Sequence, residues 1–346
     1  MDILITGAAG FIGSRLAMSL IDDGHNVVGL DNYLQQVHGD KVKKNHHFKI
    51  VEGDIRDLQL VSELIASYKF SVIFHLAAET GTGQSYDEPT RYADVNILGT
   101  TKLFEAIRCA DYDPQKIVLA GTRAVYGEGM YVNEAGIQEQ ACTRKIAVMN
   151  NKDFNVYGRT GNKLTAMSTP ESLQPAPDSV YASTKLMQEH LIKNLSSNID
   201  WTILRFQNVY GPGQSLRNPY TGVLSIFCSQ IKAGKTLEVY EDGEIYRDFI
   251  YVDDVVSSLV ATVDKASREI INIGSGNSVS MKEVVESILR LAKGKGYSTE
   301  YKITGKFREG DIRFAEADIN KARDLLQWSP QVGLEQGLSQ LVDWSL

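Results

Sequence analysis

The sequence predicts an α/β fold, a doubly wound parallel sheet followed by a smaller mixed α/β domain. Short apolar runs at Asp2–Thr6, Asn26–Leu30, Val72–His75 and Lys116–Ala120 alternate with stretches whose apolar residues fall at helical spacing. A glycine-rich turn follows the first run, and from about Gly211 the order changes to shorter elements. Strand–helix alternation implies right-handed βαβ units and a parallel sheet covered on both faces. Such a sheet that opens on a glycine-rich turn is Rossmann-type.

The elements follow in order. Phe11–Asp23, Leu58–Ser67 and Ser85–Ala110 have the helical spacing, and Phe48–Glu52 is a shorter strand. Asp200–Phe206 is a further strand, after a helix that begins near Ser179. Residues Gly127 to Asp178 form a long connection rich in Asn, Lys, Thr and Pro, with weak periodicity and no obvious core of its own, so it is expected to be mobile without substrate. The later elements are Val223–Lys232, Leu237–Tyr240, Asp248–Val252, Asp253–Val263 and Met281–Leu291. The expected domains are 1–210, with 127–178 as an insertion, and 211–346, with some chain crossing between them.

Composition narrows the function. A chain of 346 residues has room for about two domains. A net charge of -7 argues against a broad nucleic-acid footprint, which needs a basic face. No apolar run reaches the ~18 residues of a membrane span, and Met1-Asp2-Ile3-Leu4-Ile5 lacks the basic start of a signal peptide. The three cysteines, Cys109, Cys142 and Cys228, form no C-x-x-C pair, which fits reduced thiols in a cytoplasm. His46-His47 without a third ligand is a solvated turn, so no metal is assigned.

Gly7, Gly10 and Gly13 are spaced G-x-x-G-x-x-G between the first strand and the first helix. That context sets backbone N–H groups and a helix N-terminus against a phosphate, with Phe11 and Ile12 inside the turn. The next strand ends at Asp31, whose carboxylate can accept from ribose hydroxyls and would repel a 2′-phosphate. Asn32 and Tyr33 follow with no Arg, which favours NAD over NADP. Gly53-Asp54-Ile55, after the third strand, suits the adenine amino group.

Tyr181 and Lys185 form Y-x-x-x-K, which on a helix puts both side chains on one face. The ammonium favours the phenolate and makes the tyrosine a general base. The spacing recurs at Tyr112 and Lys116, where Asp113 and Pro114 make a turn, so spacing alone proves nothing. The third member decides it. Thr122 stands at the C-terminal end of a parallel strand, the ligand side of such a sheet, and can bond an oxygen being oxidised and reduced.

These residues resemble a family. Gly7–Gly13, His75-Leu76-Ala77-Ala78, Thr122 with Val125-Tyr126-Gly127, and Tyr181-Ala182-Ser183-Thr184-Lys185 are similar to the extended short-chain dehydrogenase/reductases that modify nucleotide sugars. Arg205–Pro212, Arg247–Asp254 and Arg308-Glu309-Gly310-Asp311 resemble its substrate-domain motifs, in order along nearly the whole chain. The resemblance implies a tightly held NAD, a catalytic set of Thr122, Tyr181 and Lys185, and a nucleoside diphosphate sugar as substrate. It adds Leu76, Ala77, Ala78, Thr80 and Asn96 to the cofactor site, and a homodimer through the helices near Ser85 and Ser179. Asn208, Arg247 and Arg308 would contact the diphosphate, for which paired guanidiniums offer forked, charge-assisted bonds. Tyr240 and Thr221–Leu224 would lie near the base.

Family dehydratases and decarboxylases typically place Asp-Glu, or Glu, directly after the catalytic Thr or Ser. Arg123-Ala124 stands there instead. A 4-epimerase needs no extra acid, since the same Tyr and NAD oxidise C4 of a dTDP- or UDP-hexose and hydride returns to the other face. A 4,6-dehydratase or 4-reductase of the same family is the alternative, and a non-catalytic NAD-binding protein is the second. Glu79–Ser85, Thr122–Glu128 and Asn218–Gly222 resemble a dTDP-L-rhamnose 4-epimerase-like branch. Relatives there often carry paired cysteines in the long insertion, where Cys142 is alone.

Overall fold

In a computed structural model, residues 1–39, 47–218, 220, 222–308 and 310–346 are described. Seven strands form one parallel sheet in the order Glu269–Ile273, Asp200–Phe206, Lys116–Thr122, Val72–His75, Asp2–Thr6, Asn26–Asp31 and Lys49–Glu52. The order reverses between the first two βα units and the rest, which opens a crevice beyond the strands' C-terminal ends. One face packs Leu16 and Leu20 of the Gly13–Asp22 helix against Ile3, Ile5 and Phe74. The other packs Val61, Leu103, Ile107 and Ile192 against Leu4, Ile73 and Ile117.

The second half returns to this sheet more than once. Glu269–Ile273 is its edge strand, and Val255, Leu259, Leu326 and Trp328 cover its first face. The smaller lobe has its own core, including Leu224, Phe227, Ile231, Val284, Ile288 and Leu341. Asn208–Tyr210 runs parallel to Tyr246–Tyr251, which pairs antiparallel with Ser278–Ser280.

Two expectations are corrected. The single helix over Ser85–Ala110 is broken into Thr82–Asp87, Pro89–Tyr92, a π-helical turn Ala93–Leu98 and Gly99–Cys109. Pro89 is the reason at one break, because proline lacks the N–H that would continue the preceding helix and suits a first turn. The insertion 127–178 does have a core. Met130–Val132, Gln138–Gln140 and Thr165–Ala166 form an antiparallel sheet over buried Tyr131, Val156 and Leu164. Its outer contacts are polar. Arg144, with a 3% exposed side chain, pairs with Glu128 at 3.0 Å and Glu241 at 2.9 Å and donates to the Asp311 carbonyl at 2.6 Å. Thr169 exchanges backbone bonds with Glu316 and Asp318. The weak periodicity arises because its strands are two or three residues long.

The Val180–Leu195 helix is fixed to the sheet by a buried ion pair. Arg205 Nε and Nη2 donate to Glu189 at 2.9 and 2.7 Å, and the guanidinium lies 4.6 Å from the Tyr126 ring centre. Glu189→Ala leaves that guanidinium buried and unpaired, so stability should fall by about 3–5 kcal/mol, read as an earlier denaturation midpoint. Replacing both partners by Met and Leu should cost clearly less, and an equal loss would show that the pair itself is not what matters.

Candidate active site

The glycine turn is built for close approach. Gly7 has φ +73°, and a Cβ there would sit 2.9 Å from the Ala77 nitrogen. A Cβ at Gly13 would lie 2.3 Å from the Gly7 carbonyl oxygen. The turn can therefore form only without side chains, and it leaves a cradle that fits a dinucleotide phosphate. The adjoining pocket is lined by Gly7, Gly10, Asp31, Asn32, Asp54, Ile55, Leu76, Ala77 and Ala78. Nine expected cofactor residues thus share one wall.

Asp31 is buried, and it accepts from Ala9 N at 2.9 Å and Tyr33 N at 2.8 Å, with His38 Nε2 at 3.6 Å. Those bonds hold the carboxylate at the end of its strand. Asp54 accepts from Arg56 Nε at 2.8 Å and Asn32 Nδ2 at 3.0 Å, and the Arg56 bond is the main cause that lowers its pKa to about 2. His38 and Arg56 were not among the expected site residues, although Arg56 stands only two positions after Asp54 and its bond to it is local.

Other expected cofactor residues stand apart from that wall. Phe11 and Ile12 pack against the core of the smaller lobe, and Gly13 begins the first helix. Thr80 is exposed, its carbonyl accepting from the Tyr92 hydroxyl at 2.7 Å. Asn96 is fully buried behind the loop. Its Oδ1 accepts from Glu79 N, and its Nδ2 donates to the Glu79 carbonyl and Thr184 Oγ1. The side chain braces the pocket from behind instead of lining it.

The catalytic set is gathered at the end of the Lys116–Thr122 strand. Thr122 is extended (φ −149°), and its hydroxyl accepts from Ala124 N at 3.2 Å, capping the turn Arg123–Tyr126. Its own hydrogen stays available to donate. Ser179 caps the next helix through Ala182 N at 3.1 Å, placing Tyr181 and Lys185 one turn apart. Tyr181 meets Tyr92 edge to face, with ring centres 6.3 Å apart. Burial raises its pKa, while Thr122 and the Arg123 charge pull the other way. Lys185 Nζ donates to Gln188 Oε1 at 2.5 Å, and burial pushes its pKa down to about 8.

Behind them His75 is buried between Thr6 Oγ1 at 2.8 Å and Thr100 Oγ1 at 3.0 Å. The Thr100 hydroxyl gives its one hydrogen to the Asn96 carbonyl, so it accepts from His75. That assigns the imidazole proton to Nε2 and leaves Nδ1 to accept from Thr6. Burial, with the Lys185 charge adding to it, pushes the pKa of His75 down to about 3, so the ring is neutral.

On the substrate side, Arg247 donates to Asp311 Oδ1 at 2.6 Å and to the Tyr246 carbonyl at 2.8 Å. Arg308 is exposed, its guanidinium 5.0 Å from the Tyr240 ring centre. Asn208 opens a short strand, half-buried. Leu224 is buried in the lobe core, so it can offer a ligand only its backbone, in the first turn of Val223–Lys232. Thr221 and His46 lie outside the described residues. Among those residues no group of three or more His, Cys, Asp or Glu could hold a metal, and no helix is long and apolar enough to cross a membrane.

Comparison with known proteins agrees with this arrangement. Residues 4–147 match the family model described as GDP-mannose 4,6 dehydratase, and residues 154–274 match the NAD dependent epimerase/dehydratase family. The chain is 36% identical to dTDP-L-rhamnose 4-epimerase of Burkholderia thailandensis, over 99% of this chain and 94% of that protein. It is 34% identical to UDP-glucose 4-epimerase of Mycolicibacterium smegmatis, over 99% and 98%. Its fold is similar to that of UDP-glucuronic acid 4-epimerase from Bacillus cereus, solved with UDP-glucuronic acid and NAD, with a TM-score of 0.79, 30% identity and coverage of 99% and 98%. The chain belongs to the NAD-dependent epimerase/dehydratase family, the extended short-chain dehydrogenase/reductases that act on nucleotide sugars.

Proposed function

We propose that this protein is an NAD-dependent nucleotide-sugar 4-epimerase acting on a dTDP- or UDP-hexose. One observation carries the reading: Thr122 meets Tyr181, one helical turn from Lys185, and the turn after Thr122 carries Arg123 where a carboxylate would otherwise stand. NAD, when bound, accepts hydride from C4 and gives it back. Tyr181 as phenolate takes the C4 hydroxyl proton, and Thr122 donates its free hydrogen to the reacting oxygen. The Lys185 ammonium supports the phenolate and reaches toward the nicotinamide ribose. Arg247, Arg308 and Asn208 grip the diphosphate, which leaves the sugar free to turn and present its other face.

Supporting details extend the reading. Exposed Leu98 and Met187 lie on the helical segments through which a homodimer would form. Cys109, Cys142 and Cys228 are all free thiols, in keeping with a cytoplasmic enzyme. Sedimentation at micromolar concentration should give a dimer; a monomer would count against those helices as an interface. The insertion 127–178 borders the sugar site, since it joins the Thr122 turn to the Tyr181 helix.

Asp31→Asn keeps the shape and removes the charge that opposes a 2′-phosphate. Titration calorimetry on apo-protein should show NAD strongly preferred by the parent and the preference narrowed in the variant. Equal affinities in the parent would refute the role of Asp31.

Tyr181→Phe removes the base with little change in volume. Substrate binding should survive while turnover drops by ~10²–10⁴-fold, the scale of positioned acid–base catalysis. Incubation with dTDP- and UDP-hexoses without added cofactor, followed by NMR of the C4 configuration, tests the reaction itself. Loss of water, loss of CO₂ or a need for stoichiometric NAD(P)H would each assign a different chemistry.

A further inference from the structure

The turn that carries Thr122 also holds a guanidinium to which the reaction above gives no task. Arg123 opens the turn Arg123–Tyr126 and is half-buried. The neighbouring cations are engaged: Lys185 by Gln188 at 2.5 Å, Arg247 by Asp311 at 2.6 Å, and Arg308 by the Tyr240 ring. Among the described residues Arg123 has neither a hydrogen bond nor an ion pair. Leaving a guanidinium half-buried and unpaired is costly, and the nearby Arg247 charge adds to the cost. Burial, then Arg247, pushes its pKa down to about 10, so it is charged at neutral pH.

The Val180–Leu195 helix packs on this turn, and the Arg123 charge is near enough to Tyr181 to favour its phenolate. The groups facing Tyr181 can be named element by element. Tyr92 comes from Pro89–Tyr92, with Glu79, Glu88 and Arg91 around it. Arg91 pairs with both of those carboxylates, at 2.9 Å each, which leaves that cluster with one net negative charge. Thr122 and Arg123 come from the strand end and turn, while Asp178, from the loop before the helix, acts on Arg123 without forming an ion pair with it. Lys185 is on Tyr181's own helix, and the His75 behind it is neutral. Arg247, Asp311 and Glu128 stand around Arg123, and Arg247 and Asp311 neutralise each other.

We propose that Arg123 is a positioning residue for the epimerisation, acting through Tyr181: its positive charge, held in no ion pair, keeps the half-buried phenol ready to ionise. The phenol needs that help, because a buried site disfavours the phenolate, and the Lys185 ammonium is drawn toward Gln188. An arginine also keeps its charge over the whole working pH range, where Lys185, at about 8, begins to lose its own. The proposal rests on the 4-epimerase reading for the step it serves, but its effect on the phenol can be measured without turnover.

The experiment uses NAD-loaded protein and the variants Arg123→Met and Arg123→Lys, each also made in a Tyr181→Phe background. The ultraviolet phenolate absorbance of each protein, minus that of its Tyr181→Phe partner, isolates the titration of Tyr181 from the other tyrosines. In Arg123→Met the midpoint should move up by about 1 pH unit or more, leaving about tenfold less phenolate at a given lower pH. Arg123→Lys, which keeps the charge, should stay near the parent. The rising limb of the kcat–pH profile for C4 epimerisation should move the same way. An unchanged Tyr181 midpoint in Arg123→Met overturns the proposal, as does a raised KM with an unmoved profile, which would make Arg123 a substrate grip. If Arg123→Met does not fold, Arg123→Gln replaces it with the same expectation. Failure of every tested nucleotide sugar to turn over would sink the 4-epimerase reading alone, and the absorbance titration would still decide the role of Arg123.

Discussion

A neutral histidine at the centre of the sheet is the constraint on which the site depends. His75 ends the Val72–His75 strand and is shared by three elements: Thr6 of the first strand, Thr100 of the Gly99–Cys109 helix and, through Thr100, Gln188 of the Tyr181 helix. Thr6 Oγ1 also accepts from Ala77 N, so the same hydroxyl shapes the loop that meets Gly7. Gln188 in turn holds Lys185. Cofactor cradle and catalytic lysine are therefore two ends of one buried polar chain. A charged imidazole would give it a second proton to place and set a cation behind Lys185; burial prevents this, keeping the ring neutral far below physiological pH.

Burial works against each charge at the centre. It raises Tyr181, lowers Lys185 and lowers Arg123, which are the directions that disfavour a phenolate, an ammonium and a guanidinium. A phenol and a cation can still settle each other's charge, provided the cation is not consumed by a carboxylate. Around the site that condition is met unevenly. Arg205 is consumed by Glu189, Arg247 by Asp311 and Arg144 by Glu128 and Glu241, while Arg123 is left over. The paired arginines hold elements together, whereas Arg123 has no carboxylate pair among the described residues.

The parts of the site that were legible in the sequence are those in which local backbone geometry dictates residue type. The glycine turn is one, since no side chain fits at Gly7 or Gly13. The strand ends at Asp31 and Thr122 are others, because parallel strands deliver their C-terminal residues to one edge. What could not be read depends on distant pairing. Asn96 proves to be a brace because it bonds Glu79 and Thr184, 17 and 88 positions away. The Arg247–Asp254 motif mixes both kinds. Arg247 lies near Arg123, but Asp248 accepts from Ser275 N, Ser275 Oγ, Gly276 N and Ala317 N, and Asp254 from Gln331 N and Val332 N. Those carboxylates hold loops. The insertion was misread for a related reason: its strands are too short to show a period, and its stability comes from contacts with residues more than a hundred positions away.

Those contacts give the insertion a consequence for recognition. Arg144 grips the Asp311 carbonyl, and the Asp311 carboxylate orients Arg247. Lys152 grips the Gly305 carbonyl, on the same loop as Arg308. The insertion therefore reaches Arg247 and the loop of Arg308 from behind, through buried or backbone contacts. A surface flap could be exchanged without disturbing anything but the sugar end. This segment cannot, because Arg144 is held by Glu128 on one side and Glu241 on the other, and removing it would leave buried Glu128 without a cation while Glu241 kept only Arg313. On the proposed function, sequence variation in the insertion is thus coupled to the geometry of Arg247 and of the loop that carries Arg308.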